Sequence, residues 1–209
     1  MYDFLLSAFT TLFVIIDPIG LAPIFMAVTT GLSQAEQRTV AIRASVTATL
    51  ILVAFALGGA QVLAFLGISI PAFRIAGGLL MFWIAFEMVF EKRQERKVQS
   101  AEKAIIDIHG MAVFPLAIPL ISGPGAISAT VVIASQAPSL LAYLALFVII
   151  LAIMAMTLAA FLAARPIDRA LGPTGRAVIT RLFGVLLAAL SVQIVADGAR
   201  GLLAMPVVP

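Results

Sequence analysis

The stretch "FVIIDPIGLAPIF" at residues 13–25 places an aspartate, a glycine and two prolines inside a strongly apolar run. Pro18 and Pro23 donate no backbone hydrogen bond and clash with the preceding helical turn, and Gly20 adds backbone freedom. We therefore predict that a helix is broken here and that carbonyl groups are freed near residues 16–20. At membrane depth such groups are tolerated only where they face protein or a water-filled cavity. The stretch thus predicts a membrane helix that lines a cavity.

The composition supports a membrane protein. Of the 209 residues, 63% are hydrophobic and only 11% are charged. Several apolar runs reach the roughly 20 residues that a helix needs to cross a bilayer. The chain has no cysteine and one histidine, His109, which excludes disulfides and thiolate metal sites and leaves no metal or cofactor to expect. The basic residues lie in short loops between apolar runs, so the positive charge indicates membrane topology and not a nucleic-acid partner.

The apolar runs predict an all-α membrane protein with a single membrane domain of six helices. The predicted spans are residues 4–30, 39–66, 70–90, 110–135, 140–164 and 177–204. The connection at 91–109 is highly charged, and the one at 165–176 contains turn-forming residues. All thirteen Lys and Arg residues except Arg74 and Arg200 fall on the side of the loops after the first, third and fifth helices. The positive-inside rule therefore predicts a cytoplasmic 91–109 loop and both termini outside.

Two patterns recur in the same order along the chain. Pro-x4-Pro occurs at residues 18–23 and again at 119–124, and R-x-x-G-x-L-L begins at Arg74 and again at Arg181. The spacing predicts two three-helix repeats, residues 1–90 and 110–209. Because each repeat has an odd number of helices, the second enters the membrane from the opposite face. Inverted repeats that meet at broken helices near the midplane are a recurring plan in transporters.

The second copy of the proline pattern runs into "SGPGAIS" at residues 122–128. The Gly-Pro-Gly sequence predicts a break, with a new helix starting at about Ala126. The first amides of such a helix have no intrahelical partner and lie at the positive end of its dipole. Each break falls about 13 residues, or roughly 20 Å, after the first residue of its helix, and the two helices enter from opposite faces of the membrane. We therefore expect both near the midplane.

The candidate site follows from these breaks. Asp17 is the only acidic residue expected deep within a span, since Glu87 and Asp197 lie near helix ends, where we expect water within reach. A carboxylate at that depth needs a cation, a proton or a hydrogen-bond network, and capping of its own kinked helix is the structural alternative. The predicted binding residues are Asp17, Pro18, Gly20, Pro23, Gly123, Pro124, Gly125, Ala126 and Ser128. Weaker candidates are Ser45, Thr49, Gln193, Arg74 and Arg181; no residue is predicted to be catalytic.

At these residues the chain resembles the MarC family of bacterial inner-membrane proteins. The resemblance rests on Asp17-Pro18-x-Gly20-x-x-Pro23 and on Pro119-x3-Gly123-Pro124-Gly125, together with six spans and a charged central loop. The family is similar to the wider LysE-type transporter group, which consists mostly of amino-acid exporters built from inverted three-helix repeats. The resemblance implies a transporter of small neutral amino acids in the inner membrane.

Three kinds of function fit these features unequally. A secondary transporter of small polar metabolites, working by alternating access and coupled to H⁺ or Na⁺, explains the central polar site and the lack of a nucleotide-binding loop. A passive channel or lipid translocator is the alternative, and a membrane enzyme is disfavoured because no nucleophile–base pair or second deep carboxylate is apparent. The lipid bilayer and a small-molecule substrate are the expected partners. The sequence leaves the substrate, the transport direction, the coupling ion and the oligomeric state open.

Overall fold

A computed structural model describes residues 1–90 and 112–204, and every regular element in these two ranges is helical. The predicted loop at 91–109 and its basic residues lie outside them. The helices are α1 (Tyr2–Ile16), α2 (Pro18–Val28), α3 (Gln34–Phe65), α4 (Ile70–Val89), a π-helix named π1 (Ala112–Ile121), α5 (Pro124–Ser135), α6 (Leu140–Leu162) and α7 (Ala164–Leu203).

Five helical stretches in the described part are long and apolar enough to cross a bilayer: Tyr2–Val28, Gln34–Phe65, Ile70–Val89, Leu140–Leu162 and Thr174–Leu203. The first contains α1 and α2. The predicted fourth span is not one long helix, because its apolar sequence is divided between π1 and the 12-residue α5. The all-helical membrane architecture is therefore confirmed, and the fourth of the six predicted spans consists of two short pieces.

Serine side chains set where three of the long helices begin. Ser33 accepts a hydrogen bond from the Glu36 amide, and the Glu36 carboxylate accepts one from the Ser33 amide, which completes a capping box for α3. Ser69 caps α4 and Ser139 caps α6 in the simpler way, each through one amide three residues on. These bonds satisfy amides that have no partner within the helix. Because of the capping box, α3 starts five residues before the predicted span at residue 39.

The predicted turn-rich connection at 165–176 is largely helical. Helix α7 begins at Ala164, and the only non-helical backbone conformation inside it is at Gly172, with φ 60° and ψ 179°. That positive φ suits glycine because it has no Cβ. The prediction of a loop before residue 177 was therefore wrong: the sequence "ARPIDRAL" continues as helix, and Gly172 introduces a kink within it.

The helices pack in matching pairs. Helix α4 runs along α7 over the most extensive contact in the described part, and α3 packs on α6. Helix α3 also packs on π1 and α5, while α6 packs on α1 and α2. Helix α4 packs on α5, and α7 packs on α2. The broken helices are thus enclosed by the longer ones, and large apolar side chains such as Leu50, Val148 and Val185 remain exposed on the outer faces, as expected for a surface in contact with lipid.

Candidate functional site

The first break is a single residue, Asp17. Its backbone has φ 57° and ψ 65°, the left-handed conformation, which ends α1 and starts α2. The Asp17 amide still donates to the Phe13 carbonyl at 2.9 Å, and its Oδ1 accepts from the Gly20 amide at 3.0 Å. Pro18 occupies the first position of α2, where no amide hydrogen is needed. Asp17 therefore caps the second half-helix, and its side chain is only 1% exposed.

The close approach of the Asp17 carboxylate explains the glycine three residues later. A Cβ atom added to Gly20 would overlap this carboxylate, so a larger residue cannot sit there without moving Asp17. Pro23 lies inside α2 and does not widen the break. Because Pro18 and Pro23 have no N–H, the carbonyls of Val14 and Ile19 receive no bond from the residue four positions on. The two carbonyls that lose this bond thus lie on both sides of Asp17, at residues 14 and 19, whereas the sequence predicted freed carbonyls near residues 16–20.

The second break separates π1 from α5. The Ser122 amide donates to the Ala117 carbonyl at 2.9 Å, which continues the five-residue spacing of π1 by one residue. Gly123 then takes an extended conformation, and α5 starts at Pro124 instead of the predicted Ala126. The first bond of α5 runs from the Ile127 amide to the Gly123 carbonyl at 3.0 Å. No side chain caps this N-terminus. The amides of the first turn therefore have neither a capping side chain nor a carbonyl partner within the helix.

The two breaks lie close together in the interior. A Cβ atom added to Gly125, in the first turn of α5, would overlap Cδ1 of Ile84 on α4 and would lie 3.8 Å from Cγ2 of Ile15. Ile15 is two residues before Asp17 in the last turn of α1. One helical turn after Gly125, the Cβ atom of Ser128 lies 3.1 Å from the position that a Cβ atom on Gly77 would occupy. The structure therefore brings the start of α5 against the end of α1 and the middle of α4.

Hydroxyl groups on α3 and at the second break lie nearby. Ser122 is buried, and its Oγ donates to the Ala48 carbonyl of α3 at 3.3 Å. Ser45, one turn earlier on α3, is 4% exposed, and its Oγ has no hydrogen-bond partner in the described part of the chain. Thr49 instead donates to the Ser45 carbonyl within its own helix at 2.7 Å. Ser122 was missed as a candidate, although it directly precedes the Gly-Pro-Gly sequence.

The remaining candidates are not gathered at the breaks. Gln193 and Arg181 are on exposed faces of α7. Arg74 is partly buried near the start of α4, and its Nε has no hydrogen-bond partner among the described residues. Thus, of the weaker candidates, Ser45, Thr49 and Arg74 lie on helices that contact α5, and only the α3 pair lies beside the Ala48 carbonyl that Ser122 contacts.

Glu87 is a buried acid that the sequence reasoning placed within reach of water. It lies two residues before the end of α4 but is only 5% exposed, and the Trp83 indole donates to its Oε1 at 3.0 Å. The expectation of a solvated Glu87 was therefore wrong. The signal available in the sequence was the tryptophan one turn earlier, which supplies a donor on the same face. The described residues include no group of three acidic, histidine or cysteine side chains able to hold a metal ion.

Comparison with known proteins places this architecture in a family. The model of the MarC family integral membrane proteins matches residues 2–203. The chain belongs to the MarC family. It is 36% identical to the UPF0056 membrane protein MJ1677 of Methanocaldococcus jannaschii, over 96% of this chain and 98% of that protein.

Relatives in bacteria extend over nearly the whole length as well. The chain is 34% identical to the UPF0056 membrane protein YvbG of Bacillus subtilis, over 97% of each chain, and 35% identical to YhcE of Escherichia coli, over 93% of this chain and 91% of that one. No solved structure matches the chain at a significant level. The match confirms the resemblance to the MarC family that the two proline motifs indicated. The description of the family names a place in the membrane and no reaction.

Proposed function

We propose that this MarC family member is a secondary transporter of small polar metabolites, with small neutral amino acids as its substrate class. The observation that carries the proposal is the meeting of two broken helices in the buried interior. Helix α1 has 15 residues, so Asp17 lies roughly 22 Å along it, well inside a hydrocarbon core about 30 Å thick. Backbone breaks at this depth are tolerated only where they face protein or a water-filled cavity, and two breaks that meet can form a polar site there.

The two breaks offer opposite polarity. Asp17 and the carbonyls that Pro18 and Pro23 leave without helical partners attract a cation, while the uncapped start of α5 presents amides and the positive end of a helix dipole. A zwitterion satisfies both: its ammonium group is placed at the first break and its carboxylate at the second. Ser45 adds a buried hydroxyl that has no partner in the described residues. A sugar or an apolar drug would leave this charge pattern unused.

The packing supports two inverted repeats. When the first three-helix unit is exchanged for the second, the contact of α3 with α5 becomes that of α6 with α2, and the contact of α4 with α5 becomes that of α7 with α2; both pairs exist. A buried side-chain bond recurs as well. Thr29 donates to the Phe25 carbonyl at 2.7 Å, and Thr130, at the same offset as the prolines, donates to the Ala126 carbonyl at 2.7 Å. Such repeats provide two equivalent states, open to opposite sides.

Orientation and coupling complete the proposal. The distribution of the basic residues supports an orientation with the connection at 91–109 in the cytoplasm and both termini on the outer side of a bacterial inner membrane. A proton or Na⁺ is the proposed coupling ion, because Asp17 is a buried carboxylate at a helix break and a carboxylate can bind either one. In a competing arrangement, Asp17 holds only this ion and the second break alone contacts the substrate.

The test is transport by the purified protein in sealed vesicles. We expect uptake of labelled alanine, glycine and serine, loss of uptake in Asp17→Asn, and full uptake in Asp3→Asn, whose carboxylate is exposed on the same helix. Accumulation above the outside concentration under an imposed proton or Na⁺ gradient is the carrier result. Equilibration without accumulation would instead establish the passive channel, and scrambling of labelled lipid in the same vesicles would establish the translocator.

A further inference from the structure

A cavity lies away from the helix breaks, where α2, α3, α6 and α7 meet. Its volume is about 520 Å³, within the range of small-molecule sites. It is bounded by the C-terminal half of α2, the first turn or so of α3, the end of α6 and the start of α7. Phe25, the innermost α2 residue in its lining, is eight residues beyond Asp17, or roughly 12 Å along the helix. The cavity is therefore separate from the proposed transport site.

The mouth of this cavity is positively charged. Arg38 of α3 and Arg165 of α7 both line it, both are exposed, and no acidic side chain is among its described lining residues. Gln34 and Gln37 add amide groups, and the Gln37 side chain is held in place by the Thr29 and Leu32 carbonyls at 3.3 and 3.2 Å. Two guanidinium groups from different helices form a strong site for an oxyanion, since each can donate two parallel hydrogen bonds.

Four helix ends meet at this cavity. Helices α3 and α7 begin here while α2 and α6 end here, so their dipoles oppose one another and the positive charge comes from the arginines. The start of α7 has no side-chain cap. The floor, in contrast, is aromatic: Phe25 and Phe161 are buried and stack with ring centroids 4.5 Å apart. The cavity thus combines a cationic rim with an apolar base.

We propose that this cavity binds a phosphate group through Arg38 and Arg165, carried either by an anionic lipid or by a soluble phosphate compound. A cationic rim at the membrane surface matches a phosphate at headgroup level. The aromatic floor accommodates the apolar part of such a molecule. This site is independent of the transport proposal, because neither arginine touches the breaks and a phosphate can bind whether or not the protein carries amino acids.

The experiment measures the thermal unfolding midpoint of the full-length purified protein. One arm adds inorganic phosphate at constant ionic strength, with chloride as the reference. The other arm adds phosphatidylglycerol to the detergent micelles, with phosphatidylcholine as the reference. We expect the midpoint to rise with at least one phosphate source, because a ligand that binds the folded state stabilises it. A rise with phosphate alone identifies a soluble ligand, and a rise with phosphatidylglycerol alone identifies a lipid.

Matched variants locate the effect. Arg38→Gln and Arg165→Gln should each weaken the apparent affinity by about tenfold, the size expected when a hydrogen bond to a charged group is lost. Arg43→Gln on α3 and Arg169→Gln on α7 remove exposed arginines that do not line the cavity, and should leave the affinity unchanged. All four positions are exposed, so the variants should fold. The absence of stabilisation in both arms, or equal losses in all four variants, would overturn the proposal.

Discussion

Replacement of Asp17 separates its structural role from its proposed binding role. Asparagine keeps an oxygen acceptor for the Gly20 amide, which donates to the Asp17 Oδ1 atom at 3.0 Å in the wild type, and it tolerates the left-handed backbone. The loss is then the interaction of a negative charge with the start of α2, about 0.3–1 kcal/mol. Alanine loses the cap, about 1 kcal/mol, and also pays roughly 1–2 kcal/mol for the left-handed conformation.

The free energies of unfolding should therefore fall in the order wild type, Asp17→Asn, Asp17→Ala, with the alanine variant about 2–3 kcal/mol below wild type. Thermal unfolding in one detergent measures the order, and vesicle uptake of labelled alanine measures function. We expect both variants to lose transport, although Asp17→Asn folds almost normally. If Asp17→Asn transports at the wild-type rate, the aspartate is only a helix cap. If it is as unstable as Asp17→Ala, the capping geometry is wrong.

Three further outcomes follow from the packing. Gly20→Ala should lower the unfolding free energy by about 1–3 kcal/mol and impair transport, because the added methyl group overlaps the Asp17 carboxylate. Wild-type transport and stability in this variant would contradict the close approach of Asp17 to Gly20. Gly78→Ala should destabilise the protein by a similar amount, since its methyl group would lie 2.6 Å from Val195 Cγ2. Gly58→Ala, which meets nothing within 4 Å, should stabilise α3 by up to about 1 kcal/mol. A phosphatase fused to the C-terminus should be active and a fluorescent protein dark, and the reverse result would invert the proposed orientation.

The positions of the two breaks were predictable because they depend on local chemistry. Proline removes a backbone donor wherever it stands, and the structure puts the C-cap of α1 at Asp17 and the N-cap of α5 at Gly123, within the two predicted motifs. The narrowness of the first break was not predicted. It depends on the Asp17 side chain reaching back to Gly20, and the residue types alone do not show whether an aspartate in a kink caps the next helix or points away from it.

Features that depend on tertiary packing were harder to predict. The burial of Glu87 follows from which face of α4 meets its neighbours, and a helix so apolar on all sides has no polar stripe to reveal that face. The π-helical hydrogen bonding before Ser122 has no residue signature of its own.

The two breaks share a proline spacing, but the helices that follow them begin differently. At the first break the helix that follows is capped by the carboxylate of its own N-cap residue, Asp17, so the positive end of the α2 dipole is already matched by a negative charge. At the second break, Gly123 has no side chain to cap α5, and the positive end of that dipole is left for something else to match. If the repeats are related by inversion, these ends face one another across the same interior. A substrate bound between them then meets net negative charge on one side and net positive charge on the other, which fixes the direction in which a zwitterion lies.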